Sequence, residues 1–395
     1  MGDRSCEPSY EIDCMKLLYL ITEDWFFCSH FIERAMAARA AGYDVIVVTR
    51  VVEKSPKIVS AGLKLIHLPL ARRSLNPFSA VWSMLRLTQI YWRERPDLVH
   101  HIAMKPIFLG TLAARLVGIH RIVNAPVGMG FVYTSKGLLA KVLRPLFWVL
   151  MHTLLNPRGS KVILENADDC AALVKNHHVR EHDICLIRGA GVDIDKFKPD
   201  KRMHDGIIVM LVARLLWDKG VGEFVEAARL LRIKNPQVRF VLVGSPDSQN
   251  PANIPGEQLQ KWHAQGDVEF WGYQENMPKV WAQADIACLP SYREGLPKSL
   301  IEALASGLPC VTTDVPGCRE VVAPKLNGLL VPAREVEPLV RALQSLIDDP
   351  TLREEMGCHG RQRAVAEFSS ARVIAETLSV YQPMLDEAKA SETLQ

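Results

Sequence analysis

Residues 291–307 read Ser-Tyr-Arg-Glu-Gly-Leu-Pro-Lys-Ser-Leu-Ile-Glu-Ala-Leu-Ala-Ser-Gly, with two carboxylates, Glu294 and Glu302, eight positions apart. Pro297 suits a first helical position, where no amide hydrogen is needed. The apolar run through Ala305 continues that helix, and Gly307 followed by Pro309 ends it. Glu294 then stands just outside the helix start, and Glu302 one to two turns in. The free amides around Gly295, Leu296, Lys298 and Ser299, at the positive end of the helix dipole, make an anion site flanked by two acids. Acids there fit a ligand that brings hydroxyls as well as phosphate. A nucleotide-sugar has both.

A second cluster supplies positive charge. Val-Ala-Arg-Leu-Leu-Trp-Asp-Lys-Gly places Arg214 and Lys219 in the loop after an apolar strand, Ile207–Val212, with Gly220 closing the loop before a helix. A guanidinium and an ammonium five residues apart can hold a diphosphate from two sides. Taken alone the pair reads equally well as solvated surface charge; beside Glu294 and Glu302 it reads as a leaving-group clamp.

Elements with one rhythm must position these groups. The first half alternates strands (Lys16–Ile21, Tyr43–Thr49, Leu63–Leu68, Leu98–His101, Arg121–Ala125, Lys161–Glu165, Asp183–Arg188) with helices (His30–Ala41, Phe78–Glu94, Phe108–Val117, Asp168–Asn176). The second half restarts the pattern at Ile207 and ends in helices at Val336–Asp348 and Leu352–Phe368. Repeated βαβ units predict an α/β fold of two Rossmann-like domains with parallel sheets, facing across a cleft. The expected organisation is a tail over 1–14, an acceptor-binding domain over 15–190, a linker over 191–200, a nucleotide-sugar-binding domain over 201–370, and a helix over 371–395 crossing back to the first domain. Neither half holds GxGxxG, which argues against a nicotinamide dehydrogenase.

The chain has 395 residues, 48% hydrophobic and 23% charged, enough for two ordinary domains. Nine scattered cysteines without a CxxC pair predict free thiols and no metal framework. No signal peptide or membrane span is expected, which suggests a cytoplasmic protein. Net charge is +3, yet residues 1–190 carry 24 Lys and Arg against 16 Asp and Glu. No acid occurs between Asp97 and Glu165, a stretch holding eight basic residues. The stripe Leu138, Leu139, Val142, Leu143, Leu146, Phe147, Leu150 and Met151, beside Lys136, Lys141 and Arg144, reads equally as a core helix or as a face for an anionic membrane.

The first half offers weaker candidates. His100, His101 and Lys105 follow the fourth strand; His101 is a candidate catalytic contact or a satisfied strand-end histidine. Lys105 is a cation placed to meet an acceptor phosphate, and Gly128 and Gly130 end another strand beside it. Thr22–His30, after the first strand, lacks glycines.

The ordered motifs Ala-Arg-Leu...Asp-Lys-Gly, Leu-Val-Gly, Leu-Pro-Ser-Tyr-Arg-Glu-Gly, Glu-Ala-Leu-Ala-Ser-Gly and Asn-Gly-Leu-Leu-Val-Pro, from about Ile207 to Phe368, resemble the second domain of the retaining glycosyltransferases of family four. Ala213 departs from the glycine common there. The segments Ser74–Phe78 and Leu216–Gly220 further resemble bacterial capsule and lipid-linked oligosaccharide glycosyltransferases. The resemblance implies that Glu294 holds donor-sugar hydroxyls, that Glu302 holds ribose hydroxyls, and that Arg214 and Lys219 neutralise a departing nucleoside diphosphate. It implies a metal-independent enzyme without a cofactor, moving a hexosyl or N-acetylhexosaminyl unit from a nucleotide-sugar, UDP-linked, to a polyprenyl-diphosphate-linked saccharide in surface polysaccharide biosynthesis. Such an enzyme would sit peripherally on the inner face of the cytoplasmic membrane, with no nucleic-acid partner. Two rival expectations are a soluble transferase acting on a small acceptor and a non-catalytic nucleotide-sugar-binding protein.

Overall fold

The computed structural model of the chain describes residues 14–70, 77–127, 138–200 and 205–392. The strands are short and largely apolar, as expected where helices cover both faces of a parallel sheet. β1 (Lys16–Glu23), β2 (Asp44–Arg50), β3 (Lys64–His67), β4 (Leu98–Ile102), β5 (Ile122–Ala125), β6 (Ser160–Leu164) and β7 (Ile184–Leu186) form one sheet in the order β3-β2-β1-β4-β5-β6-β7. β8 (Ile208–Val212), β9 (Arg239–Val243), β10 (Glu269–Gly272), β11 (Ile286–Leu289), β12 (Cys310–Thr313) and β13 (Gly328–Val331) form the second, in the order β10-β9-β8-β11-β12-β13. Pairing is parallel, for example β1 with β2 and β4, and β8 with β9 and β11.

Alternation along β8 shows how the second sheet buries both faces. Val209 and Leu211 point into one core with Phe224, Phe240 and Leu339, whereas Ile208 and Met210 point into another with Trp281, Ile301 and Phe368. On the first sheet Leu18, Leu20, Ile46, Val48 and Val99 pack with Leu87 and Tyr91 of the helix Pro77–Glu94.

In each sheet the strand order reverses at one place: between β1 and β4 in the first, and between β8 and β11 in the second. Loops leaving the carboxyl ends of such strands diverge and open a crevice where ligands bind. Arg214 and Lys219 follow β8, and Glu294 follows β11. The topology therefore gathers the charged residues of the two sequence clusters.

Packing divides the chain into two compact units. One holds the chain up to Ala125 with Pro157–Lys161 and the end of the last helix from Leu378; the other holds Pro126–Asn156 and Val162–Thr377. Val192 bridges to Ser369 within the second. The helix expected over His30–Ala41 is two helices, Asp24–His30 and Ile32–Ala40, separated by Phe31 at φ −126°. Asp24 explains the early start: its carboxylate accepts from the backbone amides of Val52, Glu53 and Lys54 at 2.8–3.0 Å, fastening the first turn to the loop after β2. Burial would push the Asp24 carboxyl up, but these amides and that of Trp25 together hold it below its usual range. All eight described cysteines are free.

Candidate active site

The loop after β8 turns sharply at Gly220, φ +70°, where a side chain would collide with the Pro290 carbonyl at the end of β11. Glycine is required there on both counts. Tyr292 N and Ser291 Oγ then donate to the Asp218 carbonyl at 2.9 and 3.1 Å, so the two loops are stitched together. The result is a half-buried ion pair, with Lys219 Nζ 2.6 Å from Glu294 Oε1.

Arg214 takes a different partner. Its Nη1 donates to Asp247 Oδ2 at 2.8 Å, and Asp247 is held in turn by its own amide donating to Asn253 Oδ1 at 2.7 Å. The two cations thus present from separate carboxylates. Tyr292 donates from its hydroxyl to Glu223 at 2.5 Å while the Arg334 guanidinium lies over its ring at 4.3 Å.

The helix after the Gly-Leu-Pro turn spans Lys298–Ala305, and Pro297 is its N-cap with φ −73° and ψ 106°. The expectation that Pro297 would be the first helical residue is corrected by one position, because its ψ is extended. Glu302 lies on the buried face of this helix, 7% exposed. Trp281 Nε1 donates to its Oε2 at 3.3 Å and Lys298 Nζ stands 3.7 Å from Oε1. Burial pushes the Glu302 carboxyl up, opposed by Lys298 and Trp281. Gly295 and Leu296 form the turn; Gly189, at φ +69°, leaves room for the Leu296 side chain.

A brace that the sequence did not disclose holds this loop. Asn166 caps the helix Ala167–Lys175 by accepting from Asp169 N, and its Nδ2 also donates to the Gly295 carbonyl at 2.8 Å. Asp169 is paired with Arg293, the residue before Glu294. Gly295 has no side chain because a Cβ would meet the Glu165 carboxylate. Trp281, Asp247, Asn166 and Asp169 come from distant segments, and no local spacing announces them.

On the first sheet His101 requires a correction. It is fully buried, with Nε2 2.9 Å from Tyr91 Oη and Nδ1 2.9 Å from Asn124 Oδ1. Gly110 of the helix Met104–Leu116 packs against its ring, where a Cβ would lie 2.6 Å from it. Burial drives its pKa down to about 4, with Asn124 opposing. A neutral, enclosed ring with both nitrogens taken is a core histidine. His100 is likewise buried, its Nδ1 2.6 Å from Tyr381 Oη.

Lys105 follows Ala103, which sits at φ 75° and ψ 160°, a conformation costly for any residue with a Cβ. Lys105 is partly buried, and desolvation lowers its pKa. Gly128, Gly130 and residues 74–76 lie outside the described residues. Of the candidate membrane stripe, Met151 is buried, Leu146 is exposed, and Phe147 and Leu150 are half-buried. The side chains of 138–143, Leu138, Leu139, Lys141, Val142 and Leu143 included, lie outside the description, as does Lys136.

Two parallel α/β sheets, with paired cations and carboxylates at the switch point of the second, define the architecture of the B-type glycosyltransferases. Residues 193–363 match the model of the glycosyl transferases group 1, and 16–166 that of the glycosyl transferase 4-like domain. The chain belongs to the family-four glycosyltransferases. It is 30% identical over 335 residues to the N,N'-diacetylbacillosaminyl-diphospho-undecaprenol alpha-1,3-N-acetylgalactosaminyltransferase of Campylobacter jejuni, covering 82% of this chain and 86% of that protein. It is 24% identical over 342 residues to the UDP-Gal:alpha-D-GlcNAc-diphosphoundecaprenol alpha-1,3-galactosyltransferase of Escherichia coli, covering 82% and 84%. Among solved structures, Anabaena HepE in complex with UDP-glucose superposes with a TM-score of 0.75 at 19% identity, over 92% of this chain and 99% of that one. The chain is a glycosyltransferase.

Proposed function

We propose that the protein is a retaining hexosyltransferase that passes a hexosyl or N-acetylhexosaminyl group from a UDP-sugar to a polyprenyl-diphosphate-linked saccharide of a surface polysaccharide. The carrying observation is the Lys219–Glu294 ion pair, set at the β8–β11 switch point beside the start of the Glu302 helix. Support for the acceptor comes from relatives aligned over 82% of the chain whose names specify diphospho-undecaprenol-linked saccharides. The E. coli relative's name also specifies a UDP donor.

In this reading the bond from the sugar's anomeric carbon to the diphosphate oxygen breaks as an acceptor hydroxyl attacks the same face. The acceptor's proton passes to the departing phosphate oxygen. Negative charge grows on the diphosphate, and fixed cations there lower the barrier more than they stabilise the ground state. Lys219, Arg214 and the amides of Lys298 and Ser299 take that charge, so no metal is called for. Glu294 Oε1 holds the ammonium while Oε2 accepts a donor-sugar hydroxyl. Glu302 accepts the ribose hydroxyls. Lys105, half-buried behind the strained Ala103, is assigned to an acceptor phosphate. The enzyme works in the cytoplasm at the inner membrane face.

Calorimetry with UDP, GDP and ADP tests the donor half: UDP-selective binding, lost in Arg214→Ala, is expected. Transfer from labelled UDP-sugars to undecaprenyl-diphosphate saccharides in detergent tests the acceptor half. Transfer only to a water-soluble acceptor would replace the lipid-linked reading, and nucleotide binding without turnover toward either would leave a binding protein.

A further inference from the structure

Within the first compact unit, the helix Pro77–Glu94 carries two faces of opposite character. Ser83, Leu87 and Tyr91 are buried against the sheet. On the other side Phe78 is 83% exposed and Trp92 66%, with Val81, Trp82 and Leu85 also exposed. Successive steps of three, one, three and seven residues keep these five on one side of a helix turning 3.6 residues per turn. Single exposed apolar residues are ordinary, but Val81, Trp82, Leu85 and Trp92 on one helical face, two of them tryptophan, make an apolar patch open to solvent.

The charges on the helix point to a partner. Arg86 and Arg93 lie together along one edge of the apolar stripe and are exposed. The helix has one acid, Glu94, which is buried, paired with Lys64 and 3.9 Å from the Arg93 guanidinium. A second copy of the chain meeting this face across a two-fold axis would bring arginines toward arginines with no exposed acid on the helix to answer them. An anionic bilayer fits this face: phosphates for the exposed arginines, acyl chains for Val81 and Leu85, and the interfacial zone that tryptophan favours. Among the described residues no helix is long and apolar enough to cross a membrane, so the contact is one of lying on the surface.

We propose that the exposed face of Pro77–Glu94 is the surface by which the enzyme docks on anionic lipid. This deepens the lipid-linked acceptor reading and rests on it for its purpose. About 27 Å of helix, at roughly 1.5 Å per residue, would lie in the plane of the headgroups.

The test is flotation of the full chain with vesicles of phosphatidylglycerol or of phosphatidylcholine, read together with tryptophan fluorescence. Wild type is expected to float with phosphatidylglycerol, to shift its emission to the blue, and to be released by salt. Trp82→Glu/Trp92→Glu should weaken vesicle binding at least tenfold, while Arg86→Glu/Arg93→Glu should abolish the preference for anionic lipid. UDP binding by each variant should be unchanged, which shows that it is folded. Wild type that ignores both vesicles, or charge-reversed variants that float as well as wild type, overturns the proposal. Dimerisation lost in Trp82→Glu/Trp92→Glu overturns it in favour of self-association. Failure to float with intact transfer to a lipid-linked acceptor in detergent sinks the docking surface alone; flotation without such transfer sinks the acceptor reading and leaves the surface standing.

Discussion

Lys219 Nζ lies 2.6 Å from Glu294 Oε1, although the two residues are 75 positions apart and leave different strands of the second sheet. Each side chain balances the charge of the other; in the function proposed above Lys219 also presents charge for a diphosphate, and Glu294 keeps one oxygen for a sugar hydroxyl. Lys219→Met should raise the Kd for UDP by about tenfold to a hundredfold, the loss of one charge-assisted contact of roughly 1.5–3 kcal/mol. Adding Glu294→Gln should recover thermal stability, because the carboxylate is no longer left alone, without recovering UDP affinity. Unchanged UDP affinity in Lys219→Met would remove the lysine from the donor site.

The Arg214–Asp247 pair separates orientation from stability. Arg214 is more than a third exposed, so breaking the pair should cost at most about 1 kcal/mol of stability. Asp247→Asn should nonetheless weaken UDP binding severalfold, because the guanidinium loses the anchor that aims it. Calorimetry and thermal melts on the same variant decide the matter: a large melting shift with intact affinity would make the pair structural.

Glu302 gives a pH signature. Its buried carboxyl binds a proton more tightly in the folded chain than in the unfolded one, so its contribution to stability falls as pH rises from the ordinary carboxylate range through the raised value. Glu302→Gln keeps an acceptor for Trp281 Nε1 and removes the buried charge. The melting temperature of Glu302→Gln should therefore gain on wild type as pH rises through that window and hold its lead above it. Parallel melting curves at all pH values would contradict the assignment.

His101 acts with the opposite sign. Its folded pKa of about 4 lies below the ordinary 6.5, so the unfolded chain takes up the proton first and stability falls as pH drops between those values. The loss should approach about 3 kcal/mol across that window. Urea titrations from pH 7 to pH 4 should show His101→Gln with a shallower acid slope and a lower midpoint at neutrality. A variant of full stability that had lost turnover would restore a catalytic role to the ring.

Gly110→Ala tests the same packing from the facing helix. The added methyl presses on the His101 ring and on Leu20, and should destabilise by about 1–3 kcal/mol. A melting temperature equal to wild type would mean that the helix can shift freely.

The parts of the site legible in sequence were those whose information is local. Eight-residue spacing, a Gly-Leu-Pro turn and an Arg–Lys pair after an apolar strand pointed to the loops that bring Lys219 to Glu294 and to the helix that carries Glu302. Trp281, Asp247 and the Asn166–Asp169 brace were not legible, because each reaches its partner through tertiary packing. For His101 the strand end left two readings open, a catalytic contact or a satisfied histidine; the approach of Gly110 and Tyr91, which closes the ring in, favours the second. The helix Val336–Asp348 matched residue for residue, and the strands Leu98–Ile102 and Ile122–Ala125 differ from their expected spans by one residue. Short helices such as Ser55–Ser60 and Met277–Trp281 were missed, being too brief to show a period.

Tyr381, near the end of the chain, stands 3.0 Å from the Tyr19 hydroxyl and 2.6 Å from His100 Nδ1, both deep in the first sheet. A ribosome delivers Tyr19 and His100 long before it delivers Tyr381. The first unit therefore waits for the last helix to emerge before its central strands gain their final polar partner, and a chain stopped short of Leu378 would leave them without it. The polar core of the amino-terminal unit is thus closed by a residue 281 positions after His100, synthesised only once all the chain between them has been made.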